Sequence, residues 1–283
     1  MKFSVFTVAT PDMTPEELAA FAKEAGIEGI EWRFKEIPAD AREEEPSYWR
    51  HNRCSMDPAG TEEEWLRFER AARENGRKSI AVVPYLTCGD IAGTRNVMKA
   101  AKLLGASFIR AGVPAYDRRT NYRGLYEQAV RYLREVEELA AEFGIKALVE
   151  THHNTIAPSA GLAHRLVCHF DPRFIGVLYD PGNMVYEGYE NYRMGLELLG
   201  PYLAHVHVKN AGYSRAASED GSRTIWNREW LPLEQGAVSW PEVLSDLKSV
   251  GYGGYFGIED FSGSASSREM LKTFVSRMAE WGK

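Results

Sequence analysis

The sequence is short of the features that mark several large classes of protein. It holds three cysteines, Cys54, Cys88 and Cys168. They are odd in number, far apart and without C-x-x-C spacing, which argues for a reduced, cytoplasmic protein. No stretch of about 18 apolar residues occurs, so no membrane span is expected. The start, MKFSVFTVATPDM, has one lysine and no long apolar run before a small-residue cleavage site, so no signal peptide is expected. Basic residues are outnumbered, with 34 Lys and Arg against 40 Asp and Glu and a net charge of −6. That balance argues against a general nucleic-acid binder, whose affinity depends on a basic surface. No low-complexity tract or interdomain linker is present. No glycine-rich phosphate loop stands out either, which favours an unphosphorylated ligand.

What the chain does have is alternation. Its 283 residues run through short apolar stretches separated by longer amphipathic ones. Strands are expected at 2–8, at GIEGIEW, at SIAVVPY, SFIRAGV, IKALVE, FIGVLYD, YLAHVHV and YFGIE. Between them come helices with recognisable ends: Thr14 and Pro15 open one that Gly26 closes, Thr61 opens one that Gly76 closes, and 121–143 stops at Gly144. Further helices are expected over 92–104, near 159–168, through GLELLG, from Pro241 to Gly251 and over 266–281. Two long connections, 35–60 and 212–236, read as loops. Strands alternating with helices imply parallel pairing. Eight such units point to a single (β/α)8 TIM barrel over 1–283, a size that suits one such barrel of roughly 250 residues. A doubly wound open sheet is the structural rival, and periodicity does not separate the two.

Four polar residues stand at comparable places. Glu150 ends IKALVE, Asp180 ends FIGVLYD, His207 sits near the end of YLAHVHV and Glu259 ends YFGIE. In a barrel the C-terminal strand ends converge on one face, where active sites are built. Each has a plain alternative: a helix cap or surface ion pair for the glutamates, a turn residue for Asp180 before Pro-Gly-Asn, a satisfied core histidine for His207. Together they are harder to dismiss. Three gathered carboxylates repel one another unless a cation sits between them. Three oxygens and one nitrogen suit one divalent ion such as Mn²⁺, Mg²⁺, Co²⁺ or Zn²⁺. His152 and His153 follow Glu150, and His205 alternates with His207 and Lys209, so these three share a face of their strand. Arg110 lies late in the fourth strand, and Glu31, Trp32 and Arg33 close the second. Trp32, Arg33 and His153 read as structural or peripheral.

With LVETHHNT, GVLYDPGNMVYEG, LAHVHVKN and the closing PLEQGAVSWPEVLSDLKSVGYGGYFGIEDF, the chain resembles the sugar isomerase/epimerase superfamily of xylose-isomerase-like barrels, most strongly over 146–262. The resemblance implies that Glu150, Asp180, His207 and Glu259 are the metal ligands. It implies that Glu150 and Glu259 act as acid and base, and that His152 and His205 bind substrate or support the ligands. Arg110 and Lys209 are further candidates for substrate contact. The ketose 3-epimerases of this group carry a substrate-binding histidine three residues after the aspartate. Here that place holds Asn183, which becomes a candidate contact and puts the epimerase activity itself in doubt. The superfamily also holds inosose dehydratases and enzymes of keto-glycosides.

The expected activity is a metal-dependent isomerase or epimerase acting on a small carbohydrate through an enediolate. A lyase on the same site is the first alternative. The apurinic endonuclease IV family shares the barrel, but needs three metals, more histidines and a basic face. A non-catalytic barrel is the third reading. The loop 212–236, with Trp226, Trp230, Arg223 and Arg228, is either a lid over the site or a subunit contact. Family habit implies a homo-oligomer.

Overall fold

Eight of the apolar runs become parallel strands in the computed structural model, which describes residues 1–283. They are β1 (Lys2–Phe6), β2 (Gly29–Phe34), β3 (Lys78–Pro84), β4 (Phe108–Arg110), β5 (Lys146–Glu150), β6 (Ile175–Tyr179), β7 (Leu203–Val208) and β8 (Tyr255–Ile258). Each pairs in parallel with the next, and β1 pairs with both β2 and β8, so the sheet closes on itself. Closure rules out the open doubly wound sheet. The strands are buried on both faces, which is why they read as continuous apolar runs.

The intervening helices begin where the local chemistry tells them to. Thr14, Thr61 and Ser266 each accept from the backbone three residues on, and Glu17, Glu64 and Glu269 reach back in reciprocal capping boxes. Gly26 and Gly144 close their helices in the left-handed conformation, with φ of 80° and 70°. The apolar faces pack on the barrel wall: Trp32 points outward from β2 and meets Phe68 of the helix Glu62–Glu74 edge-on, with ring centroids 5.2 Å apart. No helix is long and apolar enough to cross a membrane.

Two connections differ from the expected loops. The one after β7 folds as an antiparallel hairpin, Asn210–Ala217 with Thr224–Leu231. Asp220 accepts from Ser218 and Ser222 at its turn, and Gly221 takes φ of 69°. The Asp-Gly pair was the available hairpin signal. It is masked in the sequence because most of the second strand is solvent-exposed and carries little apolar alternation. The connection after β2 adds a short parallel strand, Ser55–Met56, beside Arg33 and Phe34. A helical segment directly after β6, Pro181–Tyr186, was also not anticipated.

Inside the barrel, strand alternation stacks the inward residues in layers. One layer joins Ser4, Glu31 and His205, and Gly257 of β8 makes room for it. A Cβ at Gly257 would stand 2.2 Å from Glu31 Oε1 and 3.1 Å from His205 Nε2. Gly257→Ala is therefore expected to destabilise the fold by about 1–3 kcal/mol. Urea unfolding checks this, and wild-type stability in that variant would mean the Glu31 carboxylate lies elsewhere.

Candidate metal centre

The four strand-end residues meet. Glu150 is the last residue of β5, Asp180 follows β6, His207 lies within β7 and Glu259 follows β8. His207 Nδ1 stands 3.7 Å from Glu150 Oε1, 3.9 Å from Asp180 Oδ2 and 3.6 Å from Glu259 Oε2. One donor atom from each of the four lies within 4.8 Å of every other. All four residues are buried. Asp180 answers its turn alternative by doing both jobs. Its Oδ1 caps the helix Pro181–Tyr186 by accepting from the Asn183 backbone at 2.9 Å, which leaves Oδ2 for the cluster.

The electrostatics state what this cluster lacks. Burial opposes ionisation throughout, yet the Glu150 and Glu259 carboxyls are held below their ordinary range, by Arg110 and Lys209 respectively with help from His207. Asp180, with two carboxylates beside it, is pushed up by burial to about 6. Burial also works against charge on His207, but Glu31 and the surrounding carboxylates hold its pKa well above the usual imidazole value. Lys209 is raised in the same way by Asp180 and Glu259 against its own desolvation. Its ammonium contacts Glu259 Oε2 and lies 2.9 Å from Asp180 Oδ2. Each shift has one origin: three carboxylates in a dry pocket demand positive charge. Even so, His207 Nδ1 is buried without a hydrogen-bond partner, and Asp180 Oδ2 has only the Lys209 ammonium beside it.

His207 is aimed from behind. Its Nε2 donates to Glu31 Oε2 at 2.9 Å, so the Nδ1 lone pair faces the carboxylates when the ring is neutral. Glu31 also accepts from Ser4 at 2.8 Å and faces His205 Nε2 at 2.9 Å. Phe6 stacks on His207 with centroids 5.7 Å apart. A carboxylate behind a histidine fixes its tautomer and orientation, as found behind metal-bound histidines. The sequence offered Glu31 only as an unexplained charge in an apolar strand. Its partners lie 174 and 176 positions away, so nothing local could assign it.

Above the cluster opens a cavity of about 510 Å³. Glu150, Glu259, Arg110, Lys209 and His152 line it. Arg110 donates to Glu150 Oε2 at 2.7 Å and to the Pro84 carbonyl at 3.1 Å. His205 does not line it. The side chain points to the Glu31 layer and packs on Phe108, because it lies two residues below His207 on the inward face. Of the two roles the resemblance left open for His205, substrate contact and support of the ligands, this position allows only the second. Asn183 borders the cavity with its amide already spent. Its Nδ2 donates to Glu150 Oε1 at 3.2 Å and the Thr151 carbonyl at 3.1 Å, while its Oδ1 faces His153 Nδ1 at 3.1 Å. A substrate contact from Asn183 therefore has no free donor behind it. His153, expected to be peripheral, is part of the wall, and burial beside His152 lowers its pKa to about 4. Trp230 stacks on Tyr186 and joins the wall, whereas Trp226 is 61% exposed on the hairpin's outer part.

Relatives of known name share this fold. An inosose dehydratase of Geobacillus kaustophilus is 23% identical over 166 residues, 54% of this chain and 53% of that protein. The match thus spans about half the length of the curated relative. Among solved structures, the IolI protein with a bound zinc atom superposes with a TM-score of 0.74 at 16% identity, covering 100% of this chain and 98% of that one. D-psicose 3-epimerase from Clostridium cellulolyticum H10, solved with D-tagatose, gives 0.71 at 16% identity over 100% and 98%. A family model described as xylose isomerase-like TIM barrel matches residues 19–277, and to that family the chain belongs.

Proposed function

We propose that the protein is a divalent-metal-dependent enzyme that enolises a small carbohydrate ketone, acting as an isomerase or epimerase. The observation that carries this reading is the convergence of donor atoms from Glu150, Asp180, His207 and Glu259 within 4.8 Å of one another, with the buried His207 Nδ1 left without a hydrogen-bond partner among them. Buried polar atoms without partners are costly, and three oxygens with one imidazole nitrogen fit a divalent ion. The zinc in the structurally similar IolI protein supports that fit. A divalent ion held by Glu150, Asp180, His207 and Glu259 would act as a Lewis acid toward a substrate carbonyl.

The chain's own residues then divide the proton transfer. Glu150 has one oxygen on Arg110 and the other on Asn183, so it is tied and held ionised. Glu259 is tied at Oε2 alone, by Lys209, and lines the cavity. Glu259 is the better placed base. It removes the proton beside the carbonyl, and the C–H electron pair moves into a carbon–carbon double bond as the carbonyl π pair moves onto oxygen. Returning that proton to the former carbonyl carbon, while the hydroxyl proton of the deprotonated carbon passes to the enolate oxygen and a new carbonyl forms there, completes an aldose–ketose isomerisation with one base. Delivery to the opposite face, as epimerisation requires, needs Glu150 to carry a proton against the pull of Arg110. Trp49, Trp230 and Phe261 pack on one another along one side of the cavity and give it an aromatic wall. A second reading is a lyase, in which the same proton removal is followed by loss of a β-hydroxyl as water. The inosose dehydratase relative favours it.

Purified protein loaded with Mn²⁺, Mg²⁺, Co²⁺ or Zn²⁺ is expected to exchange a carbon-bound proton of a ketose or inosose in D₂O, read by NMR. Glu259→Gln should slow that exchange by about 10²–10⁴-fold. A panel in which no compound exchanges would remove the enolisation reading. Glu31→Gln is expected to weaken metal binding by about 10–100-fold, measured by calorimetry on chelator-stripped protein. Unchanged affinity in that variant would show that Glu31 does not orient His207.

A further inference from the structure

On the wall of the same cavity and just behind it lies positive charge that no carboxylate of the chain pairs with, on Lys35 and Arg33 respectively. Arg33 lies two residues beyond Glu31 on the inward face of β2 and is fully buried. Its guanidinium donates to Ser55 Oγ and the Trp49 carbonyl, and its Nε has no acceptor at all. Its hydrogen-bond partners are neutral oxygens, so its charge is uncompensated. Lys35, the next inward residue, lines the cavity. Burial and the nearby Arg33 both lower its pKa, and no carboxylate opposes them. Arg110 completes the group. All three surround the ring of Tyr85, which also lines the cavity: Arg33 Cζ lies 5.4 Å, Lys35 Nζ 4.8 Å and Arg110 Cζ 5.0 Å from its centroid.

An aromatic face contributes only about 0.5–2 kcal/mol to each such cation. That does not offset the desolvation of a guanidinium or the repulsion among three like charges. Arg110 has its counter-charge in Glu150. Arg33 and Lys35 have none, and Glu150 and Glu259 lie beyond ion-pair reach of Lys35. Arg33 is thus a buried cation with no counter-charge from the chain, and Lys35 holds its charge on the cavity wall, where an anion entering from solvent reaches it.

We propose that the natural substrate of this cavity bears an oxyanion, a carboxylate or a phosphate, which docks on Lys35 within the field of Arg33. The substrate class is accordingly a sugar acid or a sugar phosphate rather than a neutral ketose. The proposal rests on the reading of the cavity as a carbohydrate site; a sugar acid agrees with the expectation of an unphosphorylated ligand, and a sugar phosphate departs from it.

The test uses three probes that differ at one carbon: D-fructose, D-fructuronate and D-fructose 6-phosphate, titrated calorimetrically into the metal-loaded protein. At low salt at least one anionic probe should bind tenfold or more tightly than D-fructose, and whichever of the two is tighter identifies carboxylate or phosphate as the preferred group. Raising the salt should narrow the gap. Lys35→Gln should remove most of it while Lys35→Arg keeps it, with thermal unfolding midpoints showing both variants folded. Lys35 is only partly buried, so neither change disturbs the core. Equal binding of all three probes, an equal loss for all three in Lys35→Gln, or no binding by either anionic probe would overturn the proposal. Proton exchange in D₂O separates this outcome from failure of the enzymatic reading. Tight anionic binding without exchange leaves the docking site standing and removes the enolisation. Exchange on D-fructose without anionic preference does the reverse.

Discussion

Three carboxylates held within a few ångströms of one another in a dry barrel mouth are the constraint around which the rest of this molecule is arranged. Glu150, Asp180 and Glu259 are buried, and carboxylates in such surroundings repel unless positive charge reaches them. The protein supplies part of that charge itself. Arg110 binds Glu150, Lys209 lies between Asp180 and Glu259, and His207 is biased toward its protonated form. A divalent ion at the same point would relieve His207 of its proton and leave its Nδ1 as a ligand, because metal and proton compete for one lone pair.

The barrel makes this arrangement affordable by stacking its charges in order of depth. Lowest is the layer of Ser4, Glu31 and His205, closed by the space that Gly257 leaves. Above it stand the four candidate ligands, and one step on from Glu31 begins the group of Arg33, Lys35 and Arg110 around Tyr85. The order follows from strand alternation alone: Glu31, Arg33 and Lys35 are spaced by two along one chain segment, and so are His205, His207 and Lys209. A shift of either strand by one residue would turn the whole column outward, which ties the site to the register of β2 and β7 against their neighbours.

Much of this was legible because it is local or periodic. The eight strands announce themselves as apolar runs, and the helix ends as Thr-Pro, N-capping threonine and terminal glycines. The four strand-end residues could be grouped because a parallel barrel brings every strand's C-terminal end to one face, whatever their separation in sequence. Glu31 could not be assigned that way. It lies in the middle of β2, and its role depends on two histidines from the far side of the barrel. For His205 both roles stayed open in the sequence for the related reason that alternation gives the face but not the depth. The hairpin after β7 was missed because its outer strand is solvated on both faces and leaves no apolar pattern.

Depth also argues for how a ligand would lie. The negative charges of the cavity are at its floor, on Glu150 and Glu259, and are largely matched by Arg110, Lys209 and, on the proposed reading, a divalent ion. The unmatched charges are positive and belong to Arg33 and Lys35. A molecule with a carbonyl at one end and an oxyanion at the other meets a favourable field only with its carbonyl toward the floor, since the reverse pose sets its anion beside the glutamates. Arg110 spans both regions, hydrogen-bonded to Glu150 and packed on Tyr85. On the proposed reading, the geometry that orients the substrate would thus be joined to the glutamate that Arg110 keeps ionised, and the choice between one-base isomerisation and two-base epimerisation would rest on that single guanidinium.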